Sequence, residues 1–108
     1  MEALTQKLVN FVLDTKFDDL PDKVVERTKE VMLDSVGCAL GGYVTERAKI
    51  GMDFVKSFGG NKQAIIIGDH RAPIPLAAFA NAELMNALDL DALGPTGHVS
   101  PYVIPPCI

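Results

Sequence analysis

The sequence has no tryptophan and only two cysteines, Cys38 and Cys107, in 108 residues. Two thiols so far apart make neither a disulfide framework nor a metal-type spacing, and they read as reduced thiols of a reducing compartment. No window approaches the roughly 20 apolar residues that a bilayer crossing takes. Nor does the N-terminus, with Glu2 where a basic stretch would begin, open like a secretory signal. These absences place the chain in the cytoplasm, with no membrane association. Blocks of like charge are missing too. Ten Lys and Arg stand against fourteen Asp and Glu, for a net charge of −4, which argues against nucleic acid or an anionic lipid surface as partner. A small anionic metabolite remains compatible with local basic side chains. With no internal repeat, low-complexity tract or interdomain linker, residues 1–108 read as part of a single domain.

What is present is helical. Hydrophobic residues make up 48% and charged residues 22%, an ordinary globular balance. Leu4, Leu8, Phe11 and Val12 recur at helical spacing and predict a first amphipathic helix over Ala3–Thr15. Pro21 suits the first position of a second helix running to Leu40, with Gly41-Gly42 as its stop. The charged residues of that helix cease after Asp34, so its last turns should be buried on every side, and Gly37 should mark the close approach of another helix. Thr45 is placed to cap a third helix, with Ala48, Met52, Val55 and Phe58 inward and Gly59-Gly60 as the stop. Ala64–Ile67 is short and β-branched and should pair with Arg71–Ile74 in a small hairpin, leaving His70 as a solvated turn residue. A fourth helix begins near Pro75, and Ala77, Ala78, Ala80, Ala82 and Ala87 make it a close-packing core helix. At the C-terminus Ser100 reads as the N-cap of an apolar run with no helix to complete it. That ending predicts that the chain is the opening portion of a longer helical domain.

Chemistry concentrates in one stretch. Asp89 and Asp91 fall where the fourth helix should end, and carboxylates there oppose the helix dipole. After Gly94-Pro95-Thr96-Gly97 comes His98. Gly97 lets backbone approach a ligand beside that imidazole, and Asn86, one turn before Asp89, is placed to hydrogen-bond a carboxylate or a ligand. On spacing alone three readings stand: a solvated turn, an imidazole held by a carboxylate for general acid–base work, and an Asp/Asp/His metal site. The metal reading lacks further ligands.

At these residues the chain resembles the MmgE/PrpD superfamily, whose members include 2-methylcitrate dehydratase, cis-aconitate decarboxylase and iminodisuccinate epimerase. The resemblance runs through Asp19-Leu20-Pro21, Leu33–Gly42, the Ala64–Gly68 strand and Ala78–Asp91 to His98 and Pro105. Its most specific piece is Asn81…Ala87-Leu88-Asp89-Leu90-Asp91…His98…Ser100. It implies a mainly α fold, the N-terminal segment of the family's large all-helical domain with one small hairpin, and a homodimeric assembly. It also implies a lyase or isomerase, 2-methylcitrate dehydratase-like, that moves a proton next to a carboxylate of a small di- or tricarboxylate without metal or cofactor. His98 would be the acid or base and Asp89 would hold or tune it. Beside them Asn86, Asp91 and Gly97 are expected, from their own chemistry and place, to bind substrate. Decarboxylase-like and epimerase-like activities, and a non-catalytic helical interaction module, are the alternatives. Asn86 stands where the family usually has His, Ala92 where it has a further Asp, and Val99 where it has Pro. These departures bear on the substrate more than on the fold.

Overall fold

A computed structural model of the chain describes residues 3–95 and 97–108; Glu2 and Thr96, named above, lie outside them. Four main helices carry the structure: α1 (Leu4–Asp14), α2 (Asp22–Gly42), α3 (Glu46–Phe58) and α4 (Ile74–Asn86). Between α3 and α4 lies an antiparallel pair, β1 (Ala64–Ile65) and β2 (Arg71–Ala72), with Ala64 opposite Ala72. After α4 come a second antiparallel pair, β3 (Leu93–Gly94) and β4 (Gly97–His98), and a short helix α5 (Ser100–Val103). The mainly helical expectation holds, with two hairpins where one was expected.

The alanines of α4 decide the packing. Ala77, Ala80, Leu84 and Met85 are fully buried, and α4 packs against α2, α3, α5 and the first hairpin. Ala39 of α2, Ala48, Met52 and Val55 of α3, and Ile66 complete the core around it. Thr45 caps α3 as the sequence implies: its Oγ1 accepts from the Ala48 amide (3.1 Å) and donates to the Gly42 carbonyl (2.7 Å). Inside the molecule Asn81, fully buried on α4, donates to the Ile65 carbonyl and accepts from the Ile67 amide, both at 2.9 Å. A side chain thereby ties the first hairpin to the central helix.

Several expectations are corrected. Pro21 precedes α2 as its N-cap residue rather than opening it. Gly41 and Gly42 do not stop α2, which runs through both of them. The close helix–helix approach is at Gly42 and not at Gly37. A Cβ on Gly42 would collide with the Leu84 carbonyl oxygen and lie 3.0 Å from the Ala87 Cβ, while a Cβ on Gly37 would meet nothing within 4 Å. The last turns of α2 are not covered all round, because Leu40 and Gly37 face outward and only one stripe meets α4. Phe58 is exposed as well and makes an edge-to-face contact with Phe54. Among the described residues none of α1 is buried, its apolar stripe included.

His70 is not simply solvated: its Nδ1 lies 3.0 Å from Asp69, which also pairs with Lys56 at 3.0 Å. Burial would push the Asp69 carboxyl up, but hydrogen bonds from His70 and Lys56 outweigh it and hold the group below the usual carboxylate range. Ser100 is the first residue of α5 rather than its cap, a place taken by Val99. Among the described residues no helix is long and apolar enough to cross a membrane.

Candidate active site

The last turn of α4 builds the site. The helix ends at Asn86, three residues before Asp89, so neither carboxylate sits on the helix terminus as the sequence suggested. Asp89 takes a left-handed φ of 57°, the sole non-glycine to do so among the described residues. Asp tolerates that conformation better than most residues because its short polar side chain bonds locally, and its amide donates to the Asn86 carbonyl at 3.0 Å. This bend separates the fates of two carboxylates that lie only two positions apart. The side chain of Asp89 is 81% exposed, whereas that of Asp91 is fully covered.

His98 arrives from the other side. The β3–β4 pair folds the chain back so that Leu93 lies opposite His98, and Gly97 makes the turn with a φ of 114°. The Val99 amide adds a hydrogen bond to the Ala92 carbonyl at 3.2 Å. The imidazole then lies between the carboxylates. Its Nδ1 is 3.0 Å from Asp91 Oδ2 and its Nε2 is 3.3 Å from Asp89 Oδ1. Asn86 Nδ2 donates to Asp91 Oδ1 at 2.9 Å and lies 3.5 Å from His98 Nδ1.

Each contact has a consequence. An ionised carboxylate only accepts, so Asp91 requires the proton on Nδ1 and leaves Nε2 as the atom that exchanges one. With Asp91 buried and its other oxygen occupied by Asn86, the ring is fixed in both tautomer and orientation. Nε2 faces the exposed side, where Asp89 complements the doubly protonated ring. His98 is one-third exposed, so a ligand can reach that edge. The geometry thus divides the carboxylates differently from the sequence expectation: Asp91 holds the ring, and Asp89 flanks the nitrogen that meets solvent. Gly97 shows a conformational demand, and a Cβ there would meet nothing within 4 Å. The sequence could have signalled Asp91 only through the bend at Asp89, which helical periodicity does not reveal.

Ligand-capable atoms of Asp89, Asp91 and His98 also lie within 4.8 Å of one another, close enough to share a divalent cation. Such a cation would compete with the Asn86 and His98 hydrogen bonds that already occupy Asp91. Nearby, Cys38 of α2 has its thiol pushed up by burial and by the charges of Asp34 and Asp91, the opposite of an activated nucleophile. Ser100 is fully buried with an Oγ that has no hydrogen-bond partner among the described residues.

Comparison with known proteins adds the lineage. The chain is 29% identical over 108 residues to cis-aconitate decarboxylase of Homo sapiens, covering 97% of this chain and 22% of that protein. The Mus musculus cis-aconitate decarboxylase is 28% identical with the same coverage. A cis-aconitate decarboxylase-like protein of Aspergillus oryzae is 28% identical over 89 residues, 82% of this chain and 18% of its own length. The chain therefore spans about a fifth of the length of these curated relatives. No solved structure matches it significantly. The MmgE/PrpD N-terminal domain matches residues 6–108, nearly the whole of the chain, and by that match, together with its helical fold, the chain belongs to the MmgE/PrpD family.

Proposed function

We propose that this chain supplies the proton-transfer part of a lyase acting on a small unsaturated di- or tricarboxylate, and that a cis-aconitate decarboxylase-like activity suits it better than a 2-methylcitrate dehydratase-like one. The observation that carries the proton-transfer reading is the His98 imidazole held at Nδ1 by the buried Asp91, with Nε2 turned to an accessible edge. The names of the three relatives support the decarboxylase choice.

In such a reaction the carbon–carbon bond to a carboxylate breaks and CO₂ leaves. The electron pair stays on the substrate, spread over the adjoining double bond. The doubly protonated His98 gives its Nε2 proton to that carbanion and ends as the neutral ring, which keeps its Nδ1 proton and still donates it to Asp91 in a hydrogen bond. Asp91 acts through His98 and is a positioning residue. Asp89 steadies the positive ring before transfer. Proton transfer by a positioned side chain is typically worth about 10²–10⁴ in rate.

The test uses the full-length enzyme with cis-aconitate and 2-methylcitrate, following CO₂ release and dehydration separately. His98→Ala should lower turnover by at least about a hundredfold. Asp91→Asn should lower kcat with little change in KM, because the amide can donate to Nδ1 and favour the wrong tautomer. Wild-type rates for His98→Ala would remove the proton-transfer reading. Dehydration without CO₂ release would remove the decarboxylase choice alone.

A further inference from the structure

A second cluster of chemistry lies at the far end of α4. The C-terminal end of α3, the 59–63 segment and β2 surround a small cavity of about 190 Å³, whose lining includes Lys56, Gly59, Gly60, Lys62, His70 and Arg71. Pro73, next to the first residue of α4, lines it as well. The thirteen residues of α4 rise about 20 Å, so this cavity and the His98 edge stand at opposite ends of the helix.

The charge here runs against that of the chain. Three cationic residues, two lysines and an arginine, line the cavity in a protein whose net charge is −4. Three negative features oppose them: the Asp69 carboxylate, bound to Lys56 and His70, the Asp53 carboxylate, whose charge acts on Lys56, and the C-terminus of α3, which carries about half a unit of negative charge. Against three cations they leave only a small positive excess, concentrated at Lys62 and Arg71, which have no carboxylate partner among the described residues. Arg71 is anchored by a 3.2 Å hydrogen bond from its Nη1 to the Gln63 carbonyl.

The backbone adds donors. Gly59 and Gly60 have φ values of 62° and 101°, and Gly59, the C-cap residue after Phe58, makes no capping hydrogen bond. Neither glycine amide has a backbone acceptor among the described residues. A Cβ at Gly59 would meet nothing within 4 Å, whereas one at Gly60 would press on the Pro73 ring at 2.9 Å. Cationic side chains and glycine amides without a backbone acceptor, lining one small concavity, are the donor types that oxyanions select. The volume is below the roughly 300 Å³ at which pockets for drug-sized ligands and cofactors begin, so the occupant is small.

We infer that this cavity is a binding site for a small multivalent oxyanion, separate from the His98 edge and independent of the reaction proposed there. Two sources share that chemistry, a phosphate group and a polycarboxylate, and the experiment separates them. Inorganic phosphate and citrate are titrated in turn into the full chain at constant ionic strength, following the backbone amide resonances of Gly59, Gly60 and Lys62 by NMR. The expected result is a saturable shift of those amides with a dissociation constant in the millimolar range or tighter. Lys62→Gln should weaken it about tenfold, the usual worth of one charge-assisted hydrogen bond. Lys23→Gln, on the distant exposed face of α2, should leave it unchanged. Saturation by phosphate alone points to a phosphate-bearing ligand, and tighter saturation by citrate points to a polycarboxylate; either supports the site. A linear, unsaturable drift, or equal weakening by Lys62→Gln and Lys23→Gln, would mean general screening and overturns the proposal.

Discussion

Two glycines of the same helix should respond to the same substitution with opposite signs. Replacing a helical glycine by alanine removes backbone freedom from the unfolded chain and is worth up to about 1 kcal/mol of stability. Gly37 is exposed, and a methyl added there would have nothing within 4 Å, so Gly37→Ala should realise most of that gain. Gly42 is buried against α4, where the methyl would strike the Leu84 carbonyl oxygen and crowd the Ala87 Cβ at 3.0 Å. A carbonyl inside a helix cannot rotate aside as a side chain could, so the helices must separate. Overpacking of this kind costs about 1–3 kcal/mol, and the upper part of that range applies because α2–α4 is the most extensive helix contact of the chain. After the propensity gain, Gly42→Ala should end about 1–2 kcal/mol below wild type, and the two variants about 2–3 kcal/mol apart. At roughly 4–8 °C per kcal/mol for a domain near this size, their melting temperatures should differ by about 10 °C or more. Thermal and urea unfolding followed by far-UV circular dichroism measure this directly. Equal stabilities, or Gly42→Ala the more stable of the two, would refute the account of how α2 and α4 meet.

Asn81→Leu should cost about 2–4 kcal/mol, because it orphans the Ile65 carbonyl and Ile67 amide inside the fold; the urea midpoint reads it, and a change under about 0.5 kcal/mol would show that these groups find other partners. Thr45→Ala should cost about 1–2 kcal/mol through loss of the α3 cap, while Thr45→Ser, which keeps the hydroxyl, should recover most of it in the same assay. Around Asp69 the dependence on pH has a definite sign. Its lowered folded-state pKa adds stability above the ordinary carboxylate range, which is lost as pH falls through the folded value. Lys56, pushed up chiefly by its hydrogen bond to Asp69, adds stability that is lost only as pH rises through its own raised value. Urea midpoints of wild type and Asp69→Asn should therefore differ at neutral pH and converge in acid; a constant gap across that range would contradict the ion-pair account.

The helices were readable because their apolar residues repeat at 3.6, and the alanines of α4 announced a central helix for the same reason. Periodicity identifies the face that is covered but not the neighbour that covers it. It therefore pointed to Gly37, although the backbone of α4 comes to Gly42. The segment after Asn86 was readable in its residue types and not in its geometry. Asp89 and Asp91 look alike in a one-dimensional pattern, yet one left-handed residue leaves the first in solvent and buries the second. Gly94 through Gly97 carried the punctuation of a loop, and the two-residue strands on either side are too short for alternation to show. Phe58 and Leu40 matched an inward pattern that the chain does not fill, so their exposure required knowledge of what packs beside them.

The amide of Asn81 does for β1 what a neighbouring strand would do. A peptide unit offers one carbonyl and one N–H to the strand beside it, and the Asn81 carboxamide offers the same two groups to Ile67 and Ile65. The first hairpin is thus a three-stranded sheet in hydrogen bonding, with its third strand reduced to one side chain on a helix. Open strand edges invite pairing with other chains, and proteins usually block them with charge, proline or a bulge. Here the edge is closed from inside the fold by a residue that no strand pattern would single out. A two-residue strand too short to persist by itself is thereby kept from becoming a template for self-association.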